Sequence, residues 1–305
     1  MEFNTSPVIH DFSPFFKIHE DGSIQRFKKP EFAIPSYDPQ TGVDSKDFVI
    51  SPETGVSVRL FIPKSTDPDR KLPLLVYIHG GAFCLGSASS PTFHNFINLL
   101  VSEANVVVVS VDYRLAPEHP LPIAYDDSWS ALQWVASHSA GNGPEPWLNN
   151  HADFQRAFLG GESAGANIAN NVAIRAGVNP ELINDVKFVG LLLIHPFFGG
   201  KEVDKMYKFM CPTSSGCDDD PRLNPVADPG LPSMRCSRVL FCLAEKDWLR
   251  NRGWAYYEAL GKSGWGGEME MMESEGEGHG FHLFNLTCEK AVTLMSRLAS
   301  FLNQY

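Results

Sequence analysis

The chain has 305 residues, of which 43% are hydrophobic and 20% charged, and its formal net charge is −11. This composition is typical of a folded globular protein and excludes a disordered, collagen-like or coiled-coil chain as a description of the whole. The acidic balance also argues against a nucleic-acid-binding protein, which needs a basic face, so we expect no nucleic-acid partner.

The predicted elements begin with a short hairpin over residues 16–27, because Asp21-Gly22 is a common two-residue turn between antiparallel strands. A second region of alternating hydrophobicity, at residues 56–62, predicts another strand. We attribute the antiparallel start of the fold to the opening hairpin.

The later strands and helices alternate along the chain. Near-continuous apolar runs are typical of strands buried on both faces of a sheet, and they occur at residues 74–78, 106–111, 157–159, 189–194 and 239–243. A further strand is predicted at residues 269–272, and helical spacing occurs at residues 93–103, 126–138, 167–176, 254–262 and 289–302. The alternation predicts an α/β protein with a mostly parallel central sheet and helices on both faces.

One segment interrupts this alternation. Residues 199–235 are rich in Gly, Pro, Asp and Ser and are too long for an ordinary connection. We therefore predict a single domain over residues 1–305, with a small cap formed by about residues 1–16 and 199–235. No apolar run could span a bilayer, and neither a secretory leader nor zinc-ligand spacing is recognisable, so we expect a cytoplasmic protein without membrane contact, metal or cofactor.

The pentapeptide Gly161-Glu162-Ser163-Ala164-Gly165 has the G-x-S-x-G pattern of a nucleophile elbow. It follows a predicted buried strand and precedes a predicted helix, which is the setting that such an elbow needs. Side chains at positions 161 and 165 would collide across the tight turn, and Ser163 is expected in a strained backbone conformation. The alternative is an ordinary serine in a glycine-rich turn.

A second glycine-rich motif, His79-Gly80-Gly81-Ala82-Phe83, follows the predicted strand at residues 74–78. In loops of this type, backbone N–H groups converge with the one after the nucleophile, here that of Ala164, on a developing oxyanion. Small residues let the backbone approach the substrate. We expect His79 to brace this HGG loop (residues 79–83) rather than to act as a base or metal ligand.

A nucleophilic serine needs a base and a group that orients the base. His279 is the predicted base, because it lies on a glycine-rich loop after the last strand, whereas the competing His282 begins an apolar run and is expected to be packed. Asp247 follows the strand at residues 239–243, at a carboxyl end where functional groups collect. Glu245 is the alternative acid. The order of nucleophile, acid and histidine is that of α/β-hydrolases.

Four motifs occur together in the chain, namely His79 to Phe83, Asp112 to Pro120, Gly160 to Asn167 and His279 to Phe281. Together they resemble the plant carboxylesterases of the hormone-sensitive-lipase-like group. The resemblance covers nearly the whole chain, and it implies a triad of Ser163, Asp247 and His279 in an α/β-hydrolase fold. It also implies the cap, an acyl-ester substrate without a cofactor, and an oxyanion hole from Gly81, Ala82 and Ala164, with Gly80 shaping the loop.

We therefore expect a serine carboxylesterase that hydrolyses small to medium, fairly apolar carboxylic esters through an acyl-enzyme, as a monomer or weak homodimer. Two other functions occur among similar proteins. The 2-hydroxyisoflavanone dehydratases carry threonine at the position that matches Ser163, and a lyase of that kind is the alternative. Gibberellin receptors, which only bind their ligand, lack the histidine that matches His279. The segment from Gly199 to Cys211 is shorter than in the family.

Overall fold

The computed structural model describes residues 6–64, 70–183 and 185–304. Its eleven strands, in chain order, are β1 Val8–Phe12, β2 Phe16–His19, β3 Ile24–Arg26, β4 Val43–Ser51, β5 Val56–Pro63, β6 Leu72–Ile78, β7 Val107–Asp112, β8 Ala152–Glu162, β9 Phe188–Ile194, β10 Arg238–Ala244 and β11 Glu268–Ser274. Its α-helices are α1 Pro91–Ala104, α2 Ile123–Ala136, α3 Pro146–His151, α4 Ala164–Val178, α5 Lys205–Met210, α6 Arg250–Leu260, α7 Phe281–Phe284 and α8 Glu289–Asn303.

Eight strands form a central sheet in the order β11-β10-β9-β8-β6-β7-β5-β4. The six strands from β11 to β7 are parallel to one another. Every residue of β6 and β9 is buried, because helices cover both faces of the sheet. The α/β fold class and the predicted parallel strands are confirmed.

The antiparallel part of the sheet has a different origin from the one expected. The opening hairpin, β2 and β3, joins β1 in a separate three-stranded sheet. The antiparallel edge of the central sheet instead consists of β4 and β5, with β5 pairing antiparallel to β7. The attribution of the antiparallel start to the hairpin was therefore wrong.

Helices on the two faces of the sheet create two cores. On one face α1 and α8 contact each other, and Ile97 and Leu298 belong to the core beneath them. On the other face α2 packs against α4, with Leu132 and Ile168 in the larger core. No helix in the described ranges combines the length and the apolar character that crossing a membrane requires.

The N-terminal sheet packs against the segment that interrupts the alternation. The ring of Phe209, in α5, lies 5.0 Å from the ring of Phe12 and 6.3 Å from that of Phe16. At the other end of this sheet the guanidinium of Arg26 forms an ion pair with Glu118 at 2.6 Å. The two segments predicted as cap therefore touch each other, although residues 1–5 of the first lie outside the described residues and its sheet continues to residue 26.

Candidate active site

The turn between β8 and α4 has the geometry of a nucleophile elbow. Ser163 lies between them with φ 55° and ψ −117°, a region that non-glycine residues rarely occupy. A Cβ atom on Gly161 would lie 2.4 Å from the backbone carbon of Gly165, and one on Gly165 would lie 2.0 Å from the carbonyl oxygen of Ile78. Both glycines are therefore required by close backbone contacts, as the motif predicted.

Three side chains that are far apart in sequence form a continuous hydrogen-bonded chain. The Oγ atom of Ser163 lies 2.9 Å from Nε2 of His279, and Nδ1 of His279 lies 2.7 Å from Oδ2 of Asp247. The other carboxylate oxygen of Asp247 accepts a hydrogen bond from the backbone N–H of Leu249 at 2.8 Å. The carboxyl ends of β8, β10 and β11 supply these residues at one edge of the sheet.

The ionisation of the two partners is coupled. Burial alone would raise the pKa of Asp247, but the hydrogen bond and charge of His279 outweigh it and hold this pKa below its usual value. Burial alone would lower the pKa of His279, but its hydrogen bond to Asp247 and the charges of Glu162 and Asp247 raise this pKa above its usual value. Asp247 is thus ionised, and His279 is made more basic.

The alternatives left open by the sequence lie elsewhere. Glu245 is exposed, and its carboxylate accepts a hydrogen bond from the backbone N–H of Gly276 at 2.7 Å. His282 is buried beside Phe96 and His195. Burial, together with the charge of His279, lowers the pKa of His282 to about 3. Neither alternative contacts Ser163.

The HGG loop approaches Ser163 with an unusual backbone. Gly81, Ala82 and Phe83 have φ values of 112°, 53° and 63°, and a Cβ atom on Gly81 would lie 2.0 Å from the carbonyl oxygen of Leu85. No described residue accepts a hydrogen bond from the backbone N–H of Gly81 or Ala82. Ala164 is the first residue of α4, so its N–H lacks an intrahelical partner. These donors are free to bind a ligand.

His79 supports this loop, as expected. Its ring is buried and stacks on that of Tyr113, with 4.3 Å between centroids, and Nδ1 lies 2.7 Å from the carbonyl oxygen of Gly80. The hydroxyl of Tyr113 donates a hydrogen bond to the carbonyl oxygen of His79 at 3.0 Å. The side chain of His79 has no contact with the chain of three residues described above.

A cavity of about 1140 Å³ opens above Ser163 and His279. Trp248, which follows Asp247, is 61% exposed, and its ring centroid lies 6.3 Å from that of His279. The apolar wall residues come from the N-terminal sheet and its turn, from loops that follow strands of the central sheet, from α7 and from the insertion, namely Phe12, Phe15, Leu85, Phe197, Met206, Trp248, Leu283 and Phe284. The cavity is therefore suited to an apolar molecule that presents one reactive group to Ser163.

This combination of sheet order, elbow and hydrogen-bonded chain is matched by a known family. A family described as having the alpha/beta hydrolase fold matches residues 75–213 and 199–283. The chain belongs to the α/β hydrolase family. It is 43% identical to probable carboxylesterase 13 of Arabidopsis thaliana, with 97% of this chain and 98% of that protein covered.

Other members of the α/β hydrolase family are similar over comparable lengths. A 2-hydroxyisoflavanone dehydratase of Glycine max is 42% identical, with 97% of this chain and 98% of that protein covered. Among solved structures, the esterase of the archaeon Pyrobaculum calidifontis is 26% identical with a TM-score of 0.68, and the match covers 85% of this chain and 84% of that chain. The sequence resemblance to plant members of this family is confirmed.

Sequence reasoning missed two polar residues that the structure places at the site. Asn167, in the first turn of α4, is buried and donates hydrogen bonds through Nδ2 to the carbonyl oxygens of Phe197 and Arg222, at 2.9 and 2.8 Å. Glu162, next to Ser163, is buried with its carboxylate 3.6 Å from Nε2 of His279. The sequence signal that could have revealed both residues is that they are polar, whereas most residues around Ser163 are small and apolar.

The described residues include one group of metal-type ligands, formed by Glu162, His195 and His279, whose ligand atoms lie within 4.8 Å of one another. The backbone N–H of Gly280 donates to Nδ1 of His195 at 3.1 Å, so this nitrogen is occupied and Nε2 carries the proton. Nε2 of His279 faces Ser163. The group therefore does not offer the three free ligands of a catalytic zinc site.

Proposed function

We propose that the protein is a serine carboxylesterase that hydrolyses small to medium, fairly apolar carboxylic esters through an acyl-enzyme. The observation that carries this proposal is the unbroken hydrogen-bonded chain from Ser163 through His279 to Asp247 at the floor of the cavity. The names of its relatives, which include probable carboxylesterases, support the same reaction.

In this mechanism Ser163 is the nucleophile, His279 the general base and Asp247 the group that orients the base. As Oγ attacks the ester carbonyl carbon, its proton moves to Nε2 of His279, whose positive charge is stabilised by Asp247. His279 then gives this proton to the leaving alcohol. Water, deprotonated by His279, attacks the acyl-enzyme in the same way and releases the carboxylic acid.

We assign the stabilisation of the negative charge on the tetrahedral intermediate to backbone N–H groups of the HGG loop and of Ala164. The backbone N–H groups of Gly81, Ala82 and Ala164 would donate to the oxyanion, since each lacks a partner in the described chain. Gly80 would shape the loop, because a Cβ atom there would lie 2.1 Å from Oε2 of Glu162. Preorganised donors of this kind favour the transition state over the neutral ester.

We propose a single domain over residues 1–305, with about residues 1–16 and 199–235 acting as a cap. The contact of Phe12 and Phe16 with Phe209 supports this proposal, because it joins the two segments beside the cavity. We also propose a cytoplasmic location and a monomeric or weakly dimeric state. Subcellular fractionation and analytical ultracentrifugation test these two points, and two tulip relatives are named as chloroplastic.

The decisive experiment is active-site labelling. Incubation with a fluorophosphonate followed by peptide mass spectrometry should give one adduct, on Ser163, and p-nitrophenyl acetate and butyrate should be hydrolysed. Ser163→Ala should abolish the adduct and lower kcat by about 10³-fold or more. An adduct on another serine would refute the assignment of the nucleophile, and a protein that only binds its ligand would show neither adduct nor turnover.

A second candidate is a lyase similar to 2-hydroxyisoflavanone dehydratase. Two relatives with this name are 42% and 43% identical over 97% of the chain, which makes the comparison as close as that with the carboxylesterases. Such a reaction would use His279 as the base and the HGG loop to stabilise an enolate, without an acyl-enzyme. Efficient dehydration of 2-hydroxyisoflavanones, together with poor cleavage of p-nitrophenyl esters, would replace the esterase proposal with this one.

A further inference from the structure

The buried carboxylate of Glu162 takes no part in the mechanism above. Its side chain is 4% exposed, and Oε1 lies 3.6 Å from Nε2 of His279, the nitrogen that also faces Ser163. Its pKa is affected by burial and by the charges of His279 and Asp247. Among the residues that the structure describes, none contributes a hydrogen bond to this effect. Buried carboxylates are normally hydrogen-bonded, so this one needs an explanation.

Two loops leave space for this carboxylate. A Cβ atom on Gly80 would lie 2.1 Å from Oε2 of Glu162, a distance that no real side chain tolerates. A Cβ atom on Gly280, the residue after His279, would lie 3.5 Å from Oε1, which is ordinary contact. Glu162 therefore fills the gap between the HGG loop and the loop of His279, and the glycine at position 80 is needed to accommodate it.

Few groups around Glu162 and His279 carry charge near neutral pH. Asp247, beyond the end of β10, is ionised. Four other buried titratable groups act electrostatically on the pair, from β6, from the residue after β7, from the residue after β9 and from α7: Tyr77, Tyr113, His195 and His282. Burial is the largest influence on the pKa of each and keeps each group neutral. The charge of His279 is therefore governed by two carboxylates, one at each ring nitrogen.

We propose that Glu162 is a positioning residue that stabilises the imidazolium of His279 from the Nε2 side, while Asp247 does so from the Nδ1 side. This inference rests on the proposed role of His279 as the base. When the proton of Ser163 moves to Nε2, the new N–H group lies between the substrate oxygen and Oε1 of Glu162. The proton then passes to the leaving alkoxide, and Glu162 neither gains nor loses a proton during the cycle.

The titration of the two groups supports this arrangement. The pKa of Glu162 is raised to about 7, because burial, with a smaller contribution from the charge of Asp247, outweighs the opposing effect of the charge of His279. In return, the charge of Glu162 contributes to the raised pKa of His279. The two groups therefore titrate as a coupled pair around neutral pH, where the base must change its protonation state.

The first test is the pH profile of kcat/KM for p-nitrophenyl acetate. Glu162→Gln removes the charge with little change in shape and lowers the pKa of His279, so the acid limb should move by about one pH unit to lower pH. On the alkaline plateau kcat should fall by about tenfold with KM nearly unchanged, because the carboxylate of Glu162 is 4% exposed and acts through His279 rather than on the bound ester. Glu162→Asp, which keeps a negative charge, should show less than half of this shift.

Glu245→Gln is the matched control, because it removes a carboxylate that is exposed and lies two residues from Asp247. Glu245→Gln should change neither the pH of the acid limb nor kcat on the alkaline plateau. If Glu162→Gln lowers kcat but leaves the acid limb where the wild type and Glu245→Gln have it, the carboxylate is only structural and the proposal is wrong.

A second measurement does not depend on turnover. The low-field NMR signal of the Nδ1 proton of His279 should titrate at lower pH in Glu162→Gln than in the wild type. If Glu162→Gln fails to fold, the carboxyl carbon of Glu162 in wild type labelled with ¹³C-glutamate should titrate around pH 7 together with this proton. Independent titration of the two signals would overturn the proposal. A protein that shows the coupling but cleaves no ester would refute only the proposed function.

Discussion

His279 and His282 are three residues apart in sequence but have opposite surroundings. His279 contacts Ser163 and Asp247, whereas His282 is buried against aromatic rings and its pKa is lowered to about 3. His279→Ala should lower kcat/KM on p-nitrophenyl acetate by about 10³-fold or more. His282→Ala should keep activity within about threefold but lower the free energy of unfolding by about 2 kcal/mol through the cavity it leaves.

Steady-state kinetics and urea denaturation of the two variants check this prediction. The wild-type acid limb should lie above the ordinary histidine pKa, because the net effect of Asp247 and Glu162 is to raise the pKa of His279. If His282→Ala were the inactive variant and His279→Ala the active one, the base would be misassigned.

Glu162 should destabilise the folded protein when it is ionised. Its pKa rises from 4.5 to about 7, chiefly through burial. Between these values the folded state keeps the proton that the unfolded chain has lost, so the free energy of unfolding falls as pH rises through this interval. At about 1.4 kcal/mol per pH unit, the loss is about 3 kcal/mol above pH 7.

Glu162→Gln removes this effect and should therefore be more stable than the wild type at pH 8, with a difference that shrinks toward pH 5. Urea denaturation at the two pH values measures it, and the exposed Glu245→Gln serves as the control. A variant that is less stable than the wild type at pH 8 would show that the carboxylate is better solvated than its burial indicates.

At the level of elements, one guanidinium fastens the N-terminal sheet to the loops of the site. Nε of Arg26 donates to the carbonyl oxygen of Cys84 at 2.9 Å, and Nη2 donates to that of Ala116 at 3.0 Å. Both terminal nitrogens also contact the carboxylate of Glu118 at 2.6 Å. These contacts connect β3 with the residue that follows the HGG loop and with the segment after β7.

Arg26→Ala should release this sheet, because it leaves two carbonyl oxygens and a carboxylate without their donor. We expect a loss of about 2 kcal/mol in stability and faster cleavage of residues 6–26 by a protease. Hydrolysis of p-nitrophenyl butyrate should fall more than that of the acetate. The matched control is Lys17→Ala, which removes a partly exposed ion pair with Asp11 in the same sheet and should change stability by less than about 0.5 kcal/mol. Equal effects of the two variants would contradict the anchoring role.

Asn167 connects α4 with the insertion through one amide. It accepts a hydrogen bond from the hydroxyl of Tyr125 at 2.8 Å and donates two to buried backbone carbonyls. Asn167→Ala should lower the free energy of unfolding by about 2–3 kcal/mol. Asn167→Asp keeps the side-chain volume, but an ionised carboxylate cannot donate the two hydrogen bonds. It should therefore be at least as destabilising as Asn167→Ala. Thermal or urea denaturation measures these changes. An aspartate variant as stable as the wild type would contradict the predicted contribution of the two donated hydrogen bonds.

The elements that sequence reasoning found are those whose pattern is local. The apolar runs of β6 and β9 and the amphipathic spacing of α8 follow from burial against the sheet, so their type and approximate position could be read directly. β4 was missed because it is an edge strand without one consistently buried face, so polar and apolar residues do not alternate along it. The partner of the opening hairpin was also misjudged, since strand pairing depends on residues distant in sequence.

The same distinction applies to the site. Ser163, Gly161 and Gly165 are recognisable because a sharp turn imposes their type and spacing, and Asp247 and His279 because they follow strands that end at one edge. Glu162 occupies a position of the motif that any residue can fill, and its importance comes from His279, which is more than a hundred residues away. Contacts of that kind are created by the fold and leave no spacing in the sequence.

For the whole molecule, the arrangement of the N-terminal sheet has a consequence for the order of folding during synthesis. Residues 8–26 leave the ribosome before the later residues that hold their sheet in place. The carbonyl oxygens that bind Arg26 belong to Cys84 and Ala116, and the ring that packs on Phe12 and Phe16 belongs to Phe209. The contacts of the N-terminal sheet can therefore be completed only after most of the central sheet has been translated, although β1 to β3 are among the earliest parts of the chain to be made.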